Sequence, residues 1–271
     1  MKVIISHDID HITVWEHLFD LIIPKFYLRN TIELFNGSIK IREYFLRFEN
    51  IIENKWQNIN EIIIFDKENN IPATFFIGVN NGKGLNYSLN KSKKWIKKII
   101  ESGFDIGVHG IKYSDIHGIT EEYQNFQKIS GLDSFGIRMH YLRTNYTTIN
   151  NLSNAGYLFD STVYEKISPY KVNNMWEFPL HIMDGYFIYQ GKKYENITFD
   201  QIIEYTKIEI NKIIDMNIPY LTILFHDRYF CSSFSTWEKW YVWLIDYLIK
   251  NKFEFISYKN AIDELQDQSS L

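Results

Sequence analysis

The stretch Lys2-Val3-Ile4-Ile5-Ser6-His7-Asp8-Ile9-Asp10 decides the fold, because an apolar run typical of a buried strand passes directly into charged side chains. Side chains two apart in a strand share a face, so Asp8 and Asp10 are predicted to point the same way. Two carboxylates held so close repel each other unless a cation, a proton or an arginine lies beside them. The alternative interpretation is an ordinary solvated strand end.

Two later strand ends carry a histidine after an apolar run. DIGVHG (105–110) delivers His109, and TILFHD (222–227) delivers His226. A lone histidine is usually structural, but His109 together with Asp10 predicts a mixed carboxylate–imidazole site that suits zinc or a similar divalent ion.

A fourth strand end, GIRMHY (136–141), carries Arg138 and His140 two residues apart and therefore on one face. An arginine that faces into a barrel needs a carboxylate, and Asp8 is the natural partner. An ordinary structural ion pair is the alternative. Several such strand ends together indicate a site at one rim of a barrel.

Short apolar runs alternate along the chain with amphipathic segments, which predicts an α/β protein with a parallel sheet closed into a complete or distorted (β/α)7-type barrel. The predicted strands are 2–7, 73–78, 105–109, 135–139, 158–161, 220–225 and 254–257. The predicted helices are 59–68, 92–102, 121–129, 147–155, 199–216, 236–250 and 259–264.

Residues 18–57 are expected to form a helical, aromatic insertion after the first strand. They either cap the active site or pack on the barrel as a plain excursion. With 271 residues, 45% of them hydrophobic, the chain is predicted to be one domain spanning 1–271.

Composition excludes several classes of protein. A formal net charge of -4 gives no reason to expect nucleic acid or an anionic membrane as a partner. The single cysteine, Cys231, excludes an internal disulfide and a cysteine-built zinc site. Because no apolar leader or membrane-spanning run is present, the protein is expected to be cytoplasmic with no membrane span.

Taken in order, the segments resemble the polysaccharide deacetylase superfamily (NodB homology, carbohydrate esterase family four) over nearly the whole chain. The matching segments are SHDID (6–10), PATFFIG (72–78), GVH (107–109), RMHY (138–141), FDST (159–162), WEFP (176–179), LFHD (224–227) and the closing residues 253–265.

The resemblance implies a metal-dependent carbohydrate N-deacetylase. Asp8 would be the catalytic base, held by Arg138, and His226 would be the general acid. Asp10 and His109 would bind the metal, which is expected to be zinc, with nickel or cobalt as the other candidates.

The resemblance also assigns groups around the substrate. The backbone N–H of Tyr141 would stabilise the oxyanion, and Leu224 would line the acetyl pocket. Trp176 and Asp227, which lie in the matching segments, are expected to contact the sugar.

The sequence departs from the family pattern at Tyr113, where a second metal-binding histidine usually stands. His140 is the favoured replacement, because it stands where the family has proline and shares the face of Arg138. Asp115 and His117 are the alternatives.

His181 and Asp184 either add polar groups to the groove or are structural. The expected substrate is a small or carrier-linked acetamido sugar, as in capsule or O-antigen assembly. Two other functions stay open: hydrolysis of another C–N bond, such as that of a cyclic amide or ureide, and metal-free glycan binding without turnover.

Overall fold

The computed structural model describes residues 1–184 and 198–269. Its strands are β1 (Lys2–Ile9), β2 (Thr74–Ile77), β3 (Asp105–Gly110), β4 (Ile137–Met139), β5 (Phe159–Asp160), β6 (Tyr170–Val172), β7 (Met175–Glu177), β8 (Ile182–Met183), β9 (Tyr220–Leu224) and β10 (Glu254–Phe255). Its helices are α1 (Ile22–Phe35), α2 (Ile41–Ile52), α3 (Ile59–Glu68), α4 (Leu89–Glu101), α5 (Ile116–Ser130), α6 (Thr148–Ala155), α7 (Phe199–Asp215), α8 (Ser235–Lys250) and α9 (Tyr258–Ser269).

The strands form one curled sheet in the order β6-β7-β5-β4-β3-β2-β1-β9-β8, and β10 pairs with the beginning of β1. All the neighbours are parallel except β6 and β7. The architecture is α/β with a distorted (β/α) barrel, which confirms the predicted fold class. Because the parallel strands end at one rim, the charged residues at their carboxyl ends meet there.

Strand β1 shows how alternation sorts side chains between the two faces of the sheet. Val3 and Ile5 belong to the core beneath the outer helices, whereas Ile4 belongs to the cluster inside the barrel. His7 follows the outer face and contacts Asp66 of α3, with 2.8 Å between Nε2 and Oδ2. The even-numbered residues therefore continue the inner face toward the rim.

The inner face holds an aromatic cluster, which fills the barrel below the rim. Its buried members are Ile4, Phe76, Phe159, Phe178, Tyr220, Ile256, Tyr258, Ala261 and Ile262. Strand β3 approaches β4 closely at Gly107, where an added Cβ would lie 2.6 Å from the carbonyl oxygen of Gly136. The barrel below the site is thus a packed core without an open channel.

Two helices begin earlier than the apolar pattern predicts, because polar side chains cap them. Ser88 accepts a hydrogen bond from the Lys91 N–H at the start of α4. Asp115 accepts from the His117 and Gly118 N–H groups at the start of α5. Strands β6, β7 and β8 were not predicted, because runs of two or three residues are too short to show alternation.

Residues 18–57 contain α1 and α2. Arg47 of α2 is buried and joins this segment to the rest of the chain, since its Nε donates to the Ser233 carbonyl at 2.8 Å. Its Nη1 donates to Asn30 of α1 at 2.7 Å. The division of the chain into a single domain with an insertion stays a prediction. Among the described helices, none has the length and apolar character needed to cross a membrane.

Candidate metal centre and active site

Three side chains from the ends of three strands converge at the rim. Asp10 follows β1, His109 lies in β3, and His140 follows β4. Asp10 Oδ1 lies 3.1 Å from His109 Nε2 and 3.1 Å from His140 Nδ1. The two ring nitrogens are 3.0 Å apart. Their three ligand atoms form a nearly equilateral triangle.

Backbone carbonyls fix which nitrogen of each histidine carries the proton. His109 Nδ1 donates to the carbonyl of Arg138 at 3.1 Å, and His140 Nε2 donates to the carbonyl of Lys83 at 3.3 Å. The lone pairs of the other two nitrogens therefore face each other and the carboxylate of Asp10. Three electron-rich atoms at this spacing repel unless a cation or a proton lies between them.

The donor set fits a divalent metal ion. Two neutral imidazoles and one carboxylate are a common set for zinc, and hydrogen bonds from the outer nitrogens to carbonyls are the usual means of orienting such ligands. Metal–ligand distances of about 2.1 Å put ligand atoms about 3.0 Å apart in octahedral geometry and about 3.4 Å apart in tetrahedral geometry. Burial would raise the pKa of Asp10, but the charge of a protonated His140 and hydrogen bonds from His109 and His140 hold that pKa well below its usual value, and a bound metal ion would take the place of that charge.

His140, rather than the alternatives, is brought to Asp10 and His109. Asp115 caps α5 from the surface, and His117 is exposed in the first turn of that helix. The ring of Tyr113 packs against the core, beneath the guanidinium of Arg143, whose Cζ lies 5.1 Å from the ring centroid. His140 was predicted to join the cluster because it shares a strand face with Arg138, and the structure places it there. Its role as a metal ligand stays a prediction.

Asp8 lies beside the cluster and pairs with Arg138, as the sequence predicts. Arg138 Nη1 donates to Asp8 Oδ1 at 2.9 Å, and Asp8 Oδ2 is 3.8 Å from His109 Nδ1. The remaining guanidinium hydrogens bind Ser6, Ser161 and Tyr258. Because every donor of the arginine is used, the guanidinium is fixed and holds the Asp8 carboxylate rigidly.

His226 completes the rim from the other side. Its Nε2 lies 3.7 Å from Asp10 Oδ2, and its Nδ1 donates to Asp184 Oδ1 at 2.8 Å. Burial lowers the pKa of His226, but the charge and hydrogen bond of Asp184, with Asp10 and Asp8 adding to it, raise the pKa well above its usual value. His226 therefore carries a proton on Nε2 at neutral pH.

The pairing of Asp184 with His226 was not predicted from the sequence. Asp184 follows the two-residue strand β8, whose neighbour β9 leads to His226, and its carboxylate also accepts from the His226 backbone N–H. The available signal was the apolar pair Ile182-Met183 running into an aspartate. That signal is the same one that marks Asp8 and Asp10, but on a shorter strand.

A small apolar cluster lies next to the polar groups. Leu224, Leu180 and Met183 are buried together, and Leu142 packs against them. Tyr141, between His140 and Leu142, has a left-handed backbone with φ 59° and ψ 21°. Such a conformation is costly for a tyrosine and marks a sharp turn at the rim.

Two predicted substrate contacts are not brought to the cluster. Asp227 is 1% exposed and accepts from the Asn58 N–H at 3.0 Å, and burial raises its pKa to about 7. Trp176 packs against the aromatic cluster inside the barrel. Asp227 points elsewhere because it comes directly after His226 at the start of a tight turn, whereas Trp176 lies among the side chains that fill the barrel below the rim. His181 is also structural, bound to Ile167 and Thr222, and burial lowers its pKa to about 4.

The fold is shared with solved structures that are named as a putative polysaccharide deacetylase and as an allantoinase, so the fold that the resemblance implied is confirmed. No family model matches the sequence, and no curated protein matches it. The chain is similar to a putative polysaccharide deacetylase from Mycobacterium smegmatis, with 15% identity and a TM-score of 0.63 over 100% of this chain and 91% of the other. It is also similar to the allantoinase PuuE, with 12% identity and a TM-score of 0.61 over 96% of this chain and 87% of the other.

Proposed function

We propose that the protein is a metal-dependent hydrolase that removes the acetyl group from an N-acetylated sugar. One observation carries the proposal. The metal-binding triangle of Asp10, His109 and His140 lies between an arginine-held carboxylate, Asp8, and a carboxylate-held histidine, His226. Base, metal site and acid therefore line up within one rim.

The triangle would hold a divalent ion, and zinc is the proposed metal, with nickel or cobalt as alternatives. When bound, such an ion supplies electrophilic polarisation to the acetyl carbonyl. The chain's own residues supply the rest of the chemistry. An amide needs this help, because its carbonyl is a poor electrophile and its amine a poor leaving group.

Asp8 takes the proton of the attacking water. Its Oδ1 is occupied by Arg138, which leaves Oδ2 on the side of His109. The backbone N–H of Tyr141 is proposed to donate to the developing oxyanion, a contact worth about 3–4 kcal/mol where such donors have been removed from other enzymes.

His226 gives its Nε2 proton to the departing nitrogen, without which the C–N bond would not break. Asp184 keeps the histidine charged and fixes its ring, because it binds both Nδ1 and the backbone N–H. The apolar cluster of Leu224, Leu180 and Met183 is proposed to contact the methyl of the acetyl group and to exclude water from it.

The proposed substrate is a small or carrier-linked acetamido sugar, such as an intermediate of capsule or O-antigen assembly. The enzyme is proposed to act on it in the cytoplasm. Acetate release is compared between a sugar nucleotide, which represents a biosynthetic intermediate, and a chitin oligomer, which represents a finished polymer. Acetate release from the sugar nucleotide alone is the expected result. A preference for the oligomer would contradict it.

Metal content and acetate release test the proposal together. We compare wild type with the variants Asp10→Ala and His140→Ala, all purified without chelator or histidine tag. The matched control is His117→Ala, which changes an exposed histidine. We expect both rim variants to lose one metal equivalent and all acetate release, and the control to keep both. Metal retained in His140→Ala would remove His140 as a ligand.

Activity is measured on a panel of acetamido sugars with allantoin beside them, because a structural relative is named as an allantoinase. Release of acetate supports the deacetylase. Ring opening of allantoin without acetate release would show that the protein hydrolyses a cyclic ureide and is not a deacetylase. Glycan binding without turnover would show that it is a binding protein.

A further inference from the structure

A second cluster of metal-binding groups lies in the segment that follows β1, at His11, Glu16 and His17. One nitrogen or oxygen from each of these residues lies within 4.8 Å of the others. The two imidazole rings meet edge to face with their centroids 4.6 Å apart, and Trp56 packs beside both. We propose that these three residues form a second divalent-metal site, separate from the triangle at the rim.

His17 is oriented as a ligand. It is 1% exposed, and its Nδ1 donates to Asp20 Oδ2 at 2.8 Å, so its lone pair is on Nε2. That Nε2 is buried and has no hydrogen-bond partner among residues 1–184 and 198–269. It instead faces Glu16 Oε1 at 3.5 Å. A lone pair that faces a carboxylate oxygen is unfavourable unless a cation lies between them.

His11 supplies the same kind of unpaired group. Its Nδ1 is buried without a hydrogen-bond partner in the described part of the chain. Buried imidazole nitrogens are almost always paired, so two orphans in contacting rings require an explanation. One cation satisfies both of them and Glu16. The 3.5 Å separation of the His17 and Glu16 atoms is close to the edge of a tetrahedral zinc site, about 3.4 Å.

The surroundings resemble those of ligated groups. Asp20, which holds His17, is itself held by the side-chain amide of Asn86 at 2.7 Å. This series of carboxylate, histidine and metal is the usual support for a zinc ligand. Glu16 Oε1 accepts from the Ile12 N–H at 2.7 Å, while its Oε2 lies 3.5 Å from Lys91 Nζ. The carboxylate is thereby fixed with Oε1 toward the histidines.

The proposed ion is structural. All three ligands come from a seven-residue span, 11–17, which begins next to Asp10, a member of the rim triangle. An ion there would tie the segment after β1 into one conformation and fix the start of the connection to α1. A fourth ligand position is left for a water molecule. The rival arrangement is a doubly protonated His17 shared between Asp20 and Glu16, with no metal.

Counting metal equivalents tests the site, and the test separates it from the proposed function. Wild type is expected to bind two equivalents of zinc after dialysis, and Asp10→Ala/His109→Ala to keep one. His17→Gln in that double-variant background is expected to bind none. His117→Gln in the same background, which changes an exposed histidine, is expected to keep the one equivalent.

Cobalt titration of the Asp10→Ala/His109→Ala protein tests the site with all three proposed ligands intact. Its result therefore does not depend on whether the His17 variant folds. Strong visible absorption at one equivalent, typical of tetrahedral cobalt, supports the site. One equivalent in wild type that vanishes in the double variant overturns the second site and leaves the deacetylase proposal standing. One equivalent that survives there and is lost with His17→Gln supports the second site and contradicts the metal centre at the rim.

Discussion

Replacement of Asp184 by asparagine is expected to remove acid catalysis while leaving the rest of the site in place. The carboxylate of Asp184 accepts from His226 at both Nδ1 and the backbone N–H. An asparagine of nearly the same shape offers one acceptor and one NH2 group. The backbone N–H keeps the acceptor, so the NH2 faces Nδ1. His226 then becomes neutral at neutral pH and is a much weaker acid at Nε2.

The size of the effect follows from what the acid does. General acid–base catalysis contributes about 10²–10⁴-fold in enzymes. Loss of the charged form of His226 should therefore reduce kcat for an N-acetylated sugar by about 100-fold or more, which is about 3 kcal/mol in the barrier. An aryl acetate needs no proton on its leaving group, so its hydrolysis should fall by no more than about threefold.

The assay compares the two substrates with the same enzyme preparations. Acetate release from the active acetamido sugar is measured beside phenol release from an aryl acetate, for wild type, Asp184→Asn and the surface variant Asp246→Asn. Asp246 is exposed, pairs with Lys250 on α8 and controls for the loss of a carboxylate. An equal loss on both substrates would show that Asp184 supports the site as a whole, and would refute its role through the proton of His226.

Three stability predictions follow from buried groups. Burial raises the pKa of Glu122 from 4.5 to about 7, so the folded state binds the proton more tightly than the unfolded state. The free energy of unfolding should therefore fall by up to about 3 kcal/mol as the pH rises between these values. Urea titrations should show this fall in wild type relative to Glu122→Gln, and parallel pH profiles of the two proteins would contradict it. Gly136→Ala places a Cβ 2.2 Å from the ring of Phe159 and should cost at least about 1–3 kcal/mol by the same measurement, whereas an unchanged midpoint would mean that the ring moves aside freely. Asp66→Ala leaves the buried His7 Nε2 without its carboxylate and should cost about 3–5 kcal/mol in thermal or urea unfolding; a loss under about 1 kcal/mol would show that the pair contributes little.

Strand alternation in the sequence predicted much of the candidate site. The inward direction of Asp8 and the pairing of that residue with Arg138 both follow from residues two apart sharing a face. The meeting of Asp10 with His109 follows from parallel strands ending at one rim. The inferences about Asp8, Asp10 and His109 succeeded because β1 and β3 have eight and six residues, long enough for the pattern to be visible. Arg138 was placed by the predicted strand 135–139, of which only Ile137–Met139 forms β4.

Alternation was insufficient where the elements are short or the backbone turns. Asp184 follows a two-residue strand, so nothing in its own segment showed that it would bind His226. Asp227 sits one residue past His226 at the start of a tight turn and points to Asn58, although its motif suggested a place in the groove.

The sequence by itself determined the class of fold and the rim at which the chemistry is proposed, because both depend on periodicity and on the order of motifs along the chain. Only the tertiary structure decided that His140, not Asp115 or His117, joins Asp10 and His109. That choice depends on distances between strand ends far apart in the chain and on the capping of α5 by Asp115. Only the tertiary structure, too, left His11 Nδ1 and His17 Nε2 buried without a hydrogen-bond partner among the described residues, because hydrogen bonding is settled by what packs around a side chain.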